Sequence, residues 1–155
     1  MEYRFMEPWH LQFAYTYVDA RYSDAYRTCI SAPCAVSNVL VAAGNRLPGV
    51  PRNDVFASLR WGEDVGLHLA ASAQYLSSVA VNDLNTVFAP GYAVFGLDAG
   101  YGMQMRLRAW SAFLRINNLF NRRYVGSVII DDATGGYFEP APGFNLLLGG
   151  SFTFR

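Results

Sequence analysis

Few side chains in this sequence are of kinds that do chemistry, and their spacing limits what they could do. His10 and His68 stand far apart, and neither has a Cys or second His beside it at metal-ligand spacing. Each reads as a polar wall residue rather than as a base or ligand. Asp131-Asp132 could touch a metal or a cationic ligand, but adjacent side chains of extended chain point to opposite sides. A solvated loop turn is the better reading, and Asn82-Asp83-Leu84-Asn85 has the composition of another turn. No serine stands in a nucleophile elbow. Gly96, Gly100 and Gly102, at even-numbered intervals that keep them on one face of a strand, suit small positions inside a strand better than a phosphate loop. The chain is therefore expected to be no enzyme, with no metal site and no cofactor. What remains is binding chemistry. Arg27, Arg46, Arg122 and Arg123 fall in or beside long loops. A guanidinium suits carboxylate, catecholate or citrate-type anions. The same arginines could instead pair with anionic lipopolysaccharide. Cys29 and Cys34 are the only cysteines, in a stretch rich in Ser, Ala, Pro and Asn. That spacing suits a short-loop disulfide in an oxidising compartment, with a pair of free thiols as the alternative.

The elements that must position these residues have a period of two. Trp9, Leu11, Phe13, Tyr15 and Tyr17 alternate with His10, Gln12, Ala14 and Thr16. Val55, Ala57, Leu59 and Trp61 alternate with residues that include Ser58 and Arg60. Leu67, Leu69, Ala71, Ala73 and Tyr75 enclose His68, Ser72 and Gln74, and Phe95, Leu97, Ala99, Tyr101 and Met103 enclose Gly96, Asp98, Gly100 and Gly102. The last strand sets Leu146, Leu148, Phe152 and Phe154 opposite Asn145, Ser151 and Thr153. A strand near Leu107 to Asn117 is less regular, with Phe113 on the polar side. Long connections cover about Tyr22 to Arg52, Leu76 to Pro90 and Asn118 to Pro142; short ones lie near Gly62 to Gly66 and Gly102 to Arg106. Short periplasmic turns and long outer loops are the habit of bacterial outer-membrane barrels.

Under that assignment Trp9, Trp61, Tyr101, Trp110 and Phe154 share the periplasmic end. An aromatic band at one level is what a membrane interface selects, since an indole ring is apolar while its N–H needs a polar partner. Composition agrees. Of 155 residues, 52% are apolar and only 15% charged, below the roughly 25% of ordinary globular chains. Twelve acids balance twelve bases, every base an arginine, so no field favours nucleic acid. No run reaches the ~18–20 apolar residues of a spanning helix. Met1 to Glu7 lacks the apolar core of a signal peptide, so the chain is expected to be the tail of something longer. The fold expected is all-β: an antiparallel up-and-down transmembrane barrel segment of about six strands, incomplete as a barrel. A soluble or secreted β-sandwich that binds a partner also alternates, and a small standalone outer-membrane barrel of about eight strands is a third reading.

Three motifs narrow this further: Gly44-Asn45-Arg46-Leu47-Pro48-Gly49-Val50-Pro51-Arg52 before one strand; Asn117-Asn118-Leu119-Phe120-Asn121 with Tyr124 after another; and Gly126-Ser127-Val128-Ile129-Ile130 and Tyr137-Phe138-Glu139-Pro140-Ala141-Pro142-Gly143 leading to a final Phe-Thr-Phe-Arg. Together they resemble the C-terminal end of a TonB-dependent outer-membrane receptor, over about Trp9 to Arg155. The resemblance implies a siderophore-type receptor that takes up a ferric chelate with energy from the TonB complex. It also implies residues 1–155 as the C-terminal part of the barrel, without plug domain or N-terminal strands. The final strand would be read by the barrel-assembly machinery, and the wall would meet membrane lipid and lipopolysaccharide. Phe144 stands where the family often has Arg, and Arg155 follows the terminal aromatic. A six-stranded open sheet would leave its edge N–H and C=O groups unsatisfied in lipid, so the isolated chain is expected not to transport.

Overall fold

The computed structural model describes residues 2–6, 8–29 and 33–154. Thirteen strands follow one another without a helix among the described residues: β1 (Glu2–Met6), β2 (Trp9–Tyr17), β3 (Tyr26–Thr28), β4 (Val39–Val41), β5 (Asn53–Trp61), β6 (Gly66–Leu76), β7 (Val79–Ala80), β8 (Phe88–Ala89), β9 (Tyr92–Met105), β10 (Arg108–Asn117), β11 (Val125–Val128), β12 (Phe138–Pro140) and β13 (Asn145–Phe154). Seven of them form one antiparallel sheet in the order β1-β2-β5-β6-β9-β10-β13, each wall strand beside the next in the chain. The remaining six pair as three short ribbons, one in each long connection. The wall holds one strand more than the six expected, because β1 folds back on β2 with Glu2 opposite Gln12. The second turn is also tighter than expected. Residues 102–105 remain in β9, and only Arg106 and Leu107 separate it from β10.

Register turns the alternation of each strand into two continuous faces. Trp9, Trp61, Leu69, Ala99, Leu114 and Leu148 form one cross-strand row. Leu11, Leu59, Ala71, Leu97, Ile116 and Leu146 form the next. Every residue in these two rows is apolar, and together they lie on one face of the sheet. A soluble sheet would bury such a face under a second layer. Here it carries the exposed Phe13, Tyr15, Leu69, Leu97, Leu148 and Phe152, and no second layer covers it among the described residues. The β-sandwich alternative therefore fails, and the apolar face is the one turned to lipid.

The aromatic band adds a metric test. Trp61 shares its row with Leu148, yet the band reaches Phe154 on β13, four strands further along. Tyr101 and Trp110 lie on the two intervening rows, their rings 5.5 Å apart. At about 3.3 Å per residue and about 4.8 Å between strands, a level band requires a strand tilt of about 45°, the tilt of transmembrane barrels. The spanning strands, at 9, 9, 11, 14, 10 and 10 residues, are as long as a tilted crossing requires.

The opposite, lumen-side face carries the charged and polar side chains of the wall among small and apolar ones. Its central row runs His10, Arg60, Ala70, Asp98, Arg115, Leu147. Arg60 bonds Asp64 at 2.6 Å, Arg115 bonds Asp98 at 2.8 Å, and His10 Nε2 lies 3.3 Å from Glu63. Bulky side chains on this face lie flat over glycines of the neighbouring strand. A Cβ on Gly100 would stand 2.1 Å from His68 Nε2, and one on Gly149 2.5 Å from the Phe113 ring. Phe113 therefore faces the lumen, as its place in the pattern implied, and Gly100 and Gly149 flank it in register.

Candidate functional site

The three long connections lie at one end of the wall and fold onto each other, and among the described residues the buried apolar side chains sit there rather than in the wall: Val41, Val79, Ala80, Val81 and Ala89. Gly49 is where all three meet. Its N–H donates to Ala80 O, its φ is +78°, and a Cβ there would approach Ile130 Cδ1 to 2.7 Å. Only glycine meets both demands.

Two turns of the same construction hold the platform. In 82–86, the Asn82 amide donates to Thr86 Oγ1 at 2.7 Å and its carbonyl oxygen accepts Thr86 N–H at 3.0 Å. In 118–122, the Asn118 amide donates to the carbonyls of Arg122 and Pro142, and its oxygen accepts Arg122 N–H. Each turn ends on a left-handed asparagine, Asn85 at φ 55° and Asn121 at 49°, a conformation Asn tolerates better than most residues. Asn121 then accepts Phe144 N–H at 2.9 Å, tying the outer end of β10 to the start of β13. Tyr124 completes that joint by stacking on Tyr92, ring centroids 4.2 Å apart.

Asp83 is the hub. Its carboxylate accepts the hydroxyls of Tyr22 at 2.5 Å and Tyr26 at 2.6 Å. Its carbonyl accepts the Asn45 amide, and its N–H donates to Asp131 Oδ1 at 3.0 Å. Burial and the Asp83 carboxylate push the Tyr22 phenol well above its ordinary value; the Asp83 hydrogen bond is the first cause for Tyr26. The Asp131 carboxyl is raised, chiefly by desolvation, while Thr134 N–H and hydroxyl hold Asp132 low. The adjacent acids thus do different work, one joining loops and the other closing its own turn. The sequence reading treated both Asn82–Asn85 and Asp131-Asp132 as turns and missed the hub, since its partners stand 38 to 61 residues away in the chain.

The four arginines share no hydrogen-bond partner among the described residues. Arg27 donates to Asn38 O at 3.1 Å and is otherwise exposed. Arg46 is held through its backbone by Asn85, and Arg122 and Arg123 project from the 118–122 turn. Cys29 and Cys34 are bonded as a disulfide at the end of the β3–β4 ribbon, Cα atoms 6.0 Å apart. His10 and His68 stay on the lumen wall, separate from the platform. Of the aromatics expected at the membrane interface, Trp9 and Trp61 are direct cross-strand partners, and Phe154 lies beside the Arg108 guanidinium. Arg155 falls outside the described residues.

An open antiparallel wall with an apolar outer face, strands of spanning length and interlocked loops at one end has a counterpart among known families: the β-barrel of the TonB-dependent receptor-like proteins matches residues 1–119. The chain belongs to the TonB-dependent receptor β-barrel family. It is accordingly a segment of an outer-membrane barrel, in a family of receptors for uptake rather than of enzymes. Ferrioxamine B receptors of Salmonella typhimurium, from strains SL1344 and LT2, are each 34% identical over 122 residues, covering 76% of this chain and 16% of theirs. The siderophore receptor PiuA of Acinetobacter baumannii superposes with a TM-score of 0.75 at 22% identity, over 97% of this chain and 20% of that one. BauA, the ferric preacinetobactin receptor of the same organism, gives 0.69 at 18%, over 95% and 20%. These structures share the fold. The TonB-dependent receptor wall described here thus spans about a sixth to a fifth of the length of its relatives.

Proposed function

We propose that this chain is the C-terminal wall of a TonB-dependent receptor that takes up a ferric siderophore or similar metal chelate, and that it catalyses no reaction. The observation that carries the reading is the pairing of a lipid-facing wall with three loops locked into one platform. A wall alone would only span, whereas a rigid outer platform presents a binding surface. The 34% identity to ferrioxamine B receptors supports a metal chelate as the cargo. In this reading the plug domain and the other strands lie outside residues 1–155, and the TonB complex acts only on the full receptor. The last strand addresses the barrel-assembly machinery, and lipid and lipopolysaccharide surround the wall. Arg27, Arg46, Arg122 and Arg123 present separate guanidinium groups to an anionic chelate or to lipopolysaccharide. The Cys29–Cys34 bond holds the β3–β4 ribbon in the oxidising space outside the cell.

The test is growth on a ferric chelate as sole iron source in a strain lacking its own receptors. A full receptor carrying this wall restores growth in a TonB-dependent manner, and residues 1–155 alone do not. Uptake by the isolated chain would overturn the reading. So would a full receptor that carries no chelate.

A further inference from the structure

The lipid-facing surface is not uniform. Beside the paired indoles of Trp9 and Trp61 it sinks into a trough of about 460 Å³. Its floor is Ala71, and Leu59, Leu69 and Leu97, each 39–46% exposed, rise around it. Register explains the relief: Ala71 stands between Leu59 and Leu97 in one outward row, and the next row up sets Ala57 beside Ala73 between Phe13 and Phe95. That second pair of alanines lies outside the lining of the trough, which spans the row of Trp61 and the row of Leu59. Among the described residues no charged side chain lines the trough.

We propose that this trough holds one acyl chain of a phospholipid from the periplasm-facing leaflet. The occupant follows from where the trough lies. It is continuous with the lipid-facing wall, opens at the interface marked by Trp9 and Trp61, and runs inward as an acyl chain does. A second copy of the chain is a poor fit, because the trough offers seven lining residues where a stable interface uses about 20–30 on each side. The indoles bound the mouth of the trough, where their rings can cover the first methylenes while the N–H groups reach the headgroup layer. The trough thus makes one position around the barrel a binding site, distinct from freely exchanging boundary lipid.

The inference rests on the receptor reading only for the rest of the barrel. Ala71→Phe fills the floor. Ala112→Phe adds the same ring to another outward position, between Tyr101 and Gly150, outside the trough. Each assembled receptor is extracted in mild detergent, checked for a heat-modifiable folded band, and examined by native mass spectrometry with added phosphatidylethanolamine. The folded band reports whether the barrel exists, independently of any lipid. Wild type and Ala112→Phe should retain a phospholipid adduct, while Ala71→Phe retains about tenfold less, as loss of roughly two buried CH₂ groups implies. Equal retention in all three would reduce the trough to ordinary boundary lipid and overturn the proposal. Loss of a dimer in place of a lipid adduct would overturn it in favour of a second copy.

Discussion

Asn118 is 7% exposed and satisfies three backbone groups at once, so its removal leaves polar atoms stranded in the platform. Asn118→Ala should destabilise the folded protein by about 2 kcal/mol, since buried groups left unpaired cost about 1–3 kcal/mol. Urea unfolding in vesicles followed by tryptophan emission measures it, and Asn118→Asp should recover only the half of the staple that accepts a hydrogen bond. Asp83 gives a prediction in pH. The phenols of Tyr22 and Tyr26 have folded values above their unfolded ones, so the stability they contribute is complete below about pH 10 and is lost as pH rises through the folded values. Asp132 is shifted down, so its contribution is present above about pH 4 and is lost as pH falls through its folded value. Phenolate absorbance should show Tyr22 and Tyr26 ionising after the exposed tyrosines, and Asp83→Asn should bring them forward; titration unchanged by Asp83→Asn would contradict the hub. None of this was legible from local sequence. Asn82-Asp83-Leu84-Asn85 and Asn118-Leu119-Phe120-Asn121 announce turns, but a turn's composition does not say which distant loop its side chains will reach.

At the scale of the strand, much was legible, for a physical reason. Each wall strand repeats its own in-and-out alternation, so Trp9 to Tyr17 or Leu67 to Tyr75 reveal their faces without knowledge of a neighbour. What pairs with what is not written locally. Glu2–Met6 is short and carries charges, and it becomes a strand because the turn before Trp9 lays it along β2. Phe113 looked like an irregularity until pairing placed Gly100 and Gly149 beside it. Those glycines are seats for rings, which makes them testable. Gly149→Val would force Phe113 off the wall and should cost about 1–3 kcal/mol, as overpacking does. Gly150→Val, whose side chain turns to lipid next to Ala112, should cost less; equal losses in the same urea assay would refute the seating. For the β3–β4 ribbon, a maleimide should label Cys29 and Cys34 of the folded protein only after reduction. Labelling before reduction would show free thiols.

For the molecule as a whole, the apolar face finds no protein to cover it, while the buried side chains gather in the outer loops. That inversion separates this fold from a soluble sheet. The sequence pointed to it through the aromatic band and the alternation of long and short connections, and by the register a level band requires strands tilted by about 45°, as in transmembrane barrels. The open edges along β1 and β13 expose unpaired backbone groups, costly in lipid, which is why residues 1–155 by themselves are expected neither to insert nor to transport. The most direct test of the central claim is a nitroxide scan along β2, in a receptor carrying this wall with Cys29 and Cys34 replaced by serine. Labels at positions 11, 13 and 15 should relax with oxygen, which concentrates in lipid, and those at 12, 14 and 16 with a water-soluble nickel chelate. Accessibility that failed to alternate, or odd positions open to the nickel chelate, would mean that this face does not meet the membrane.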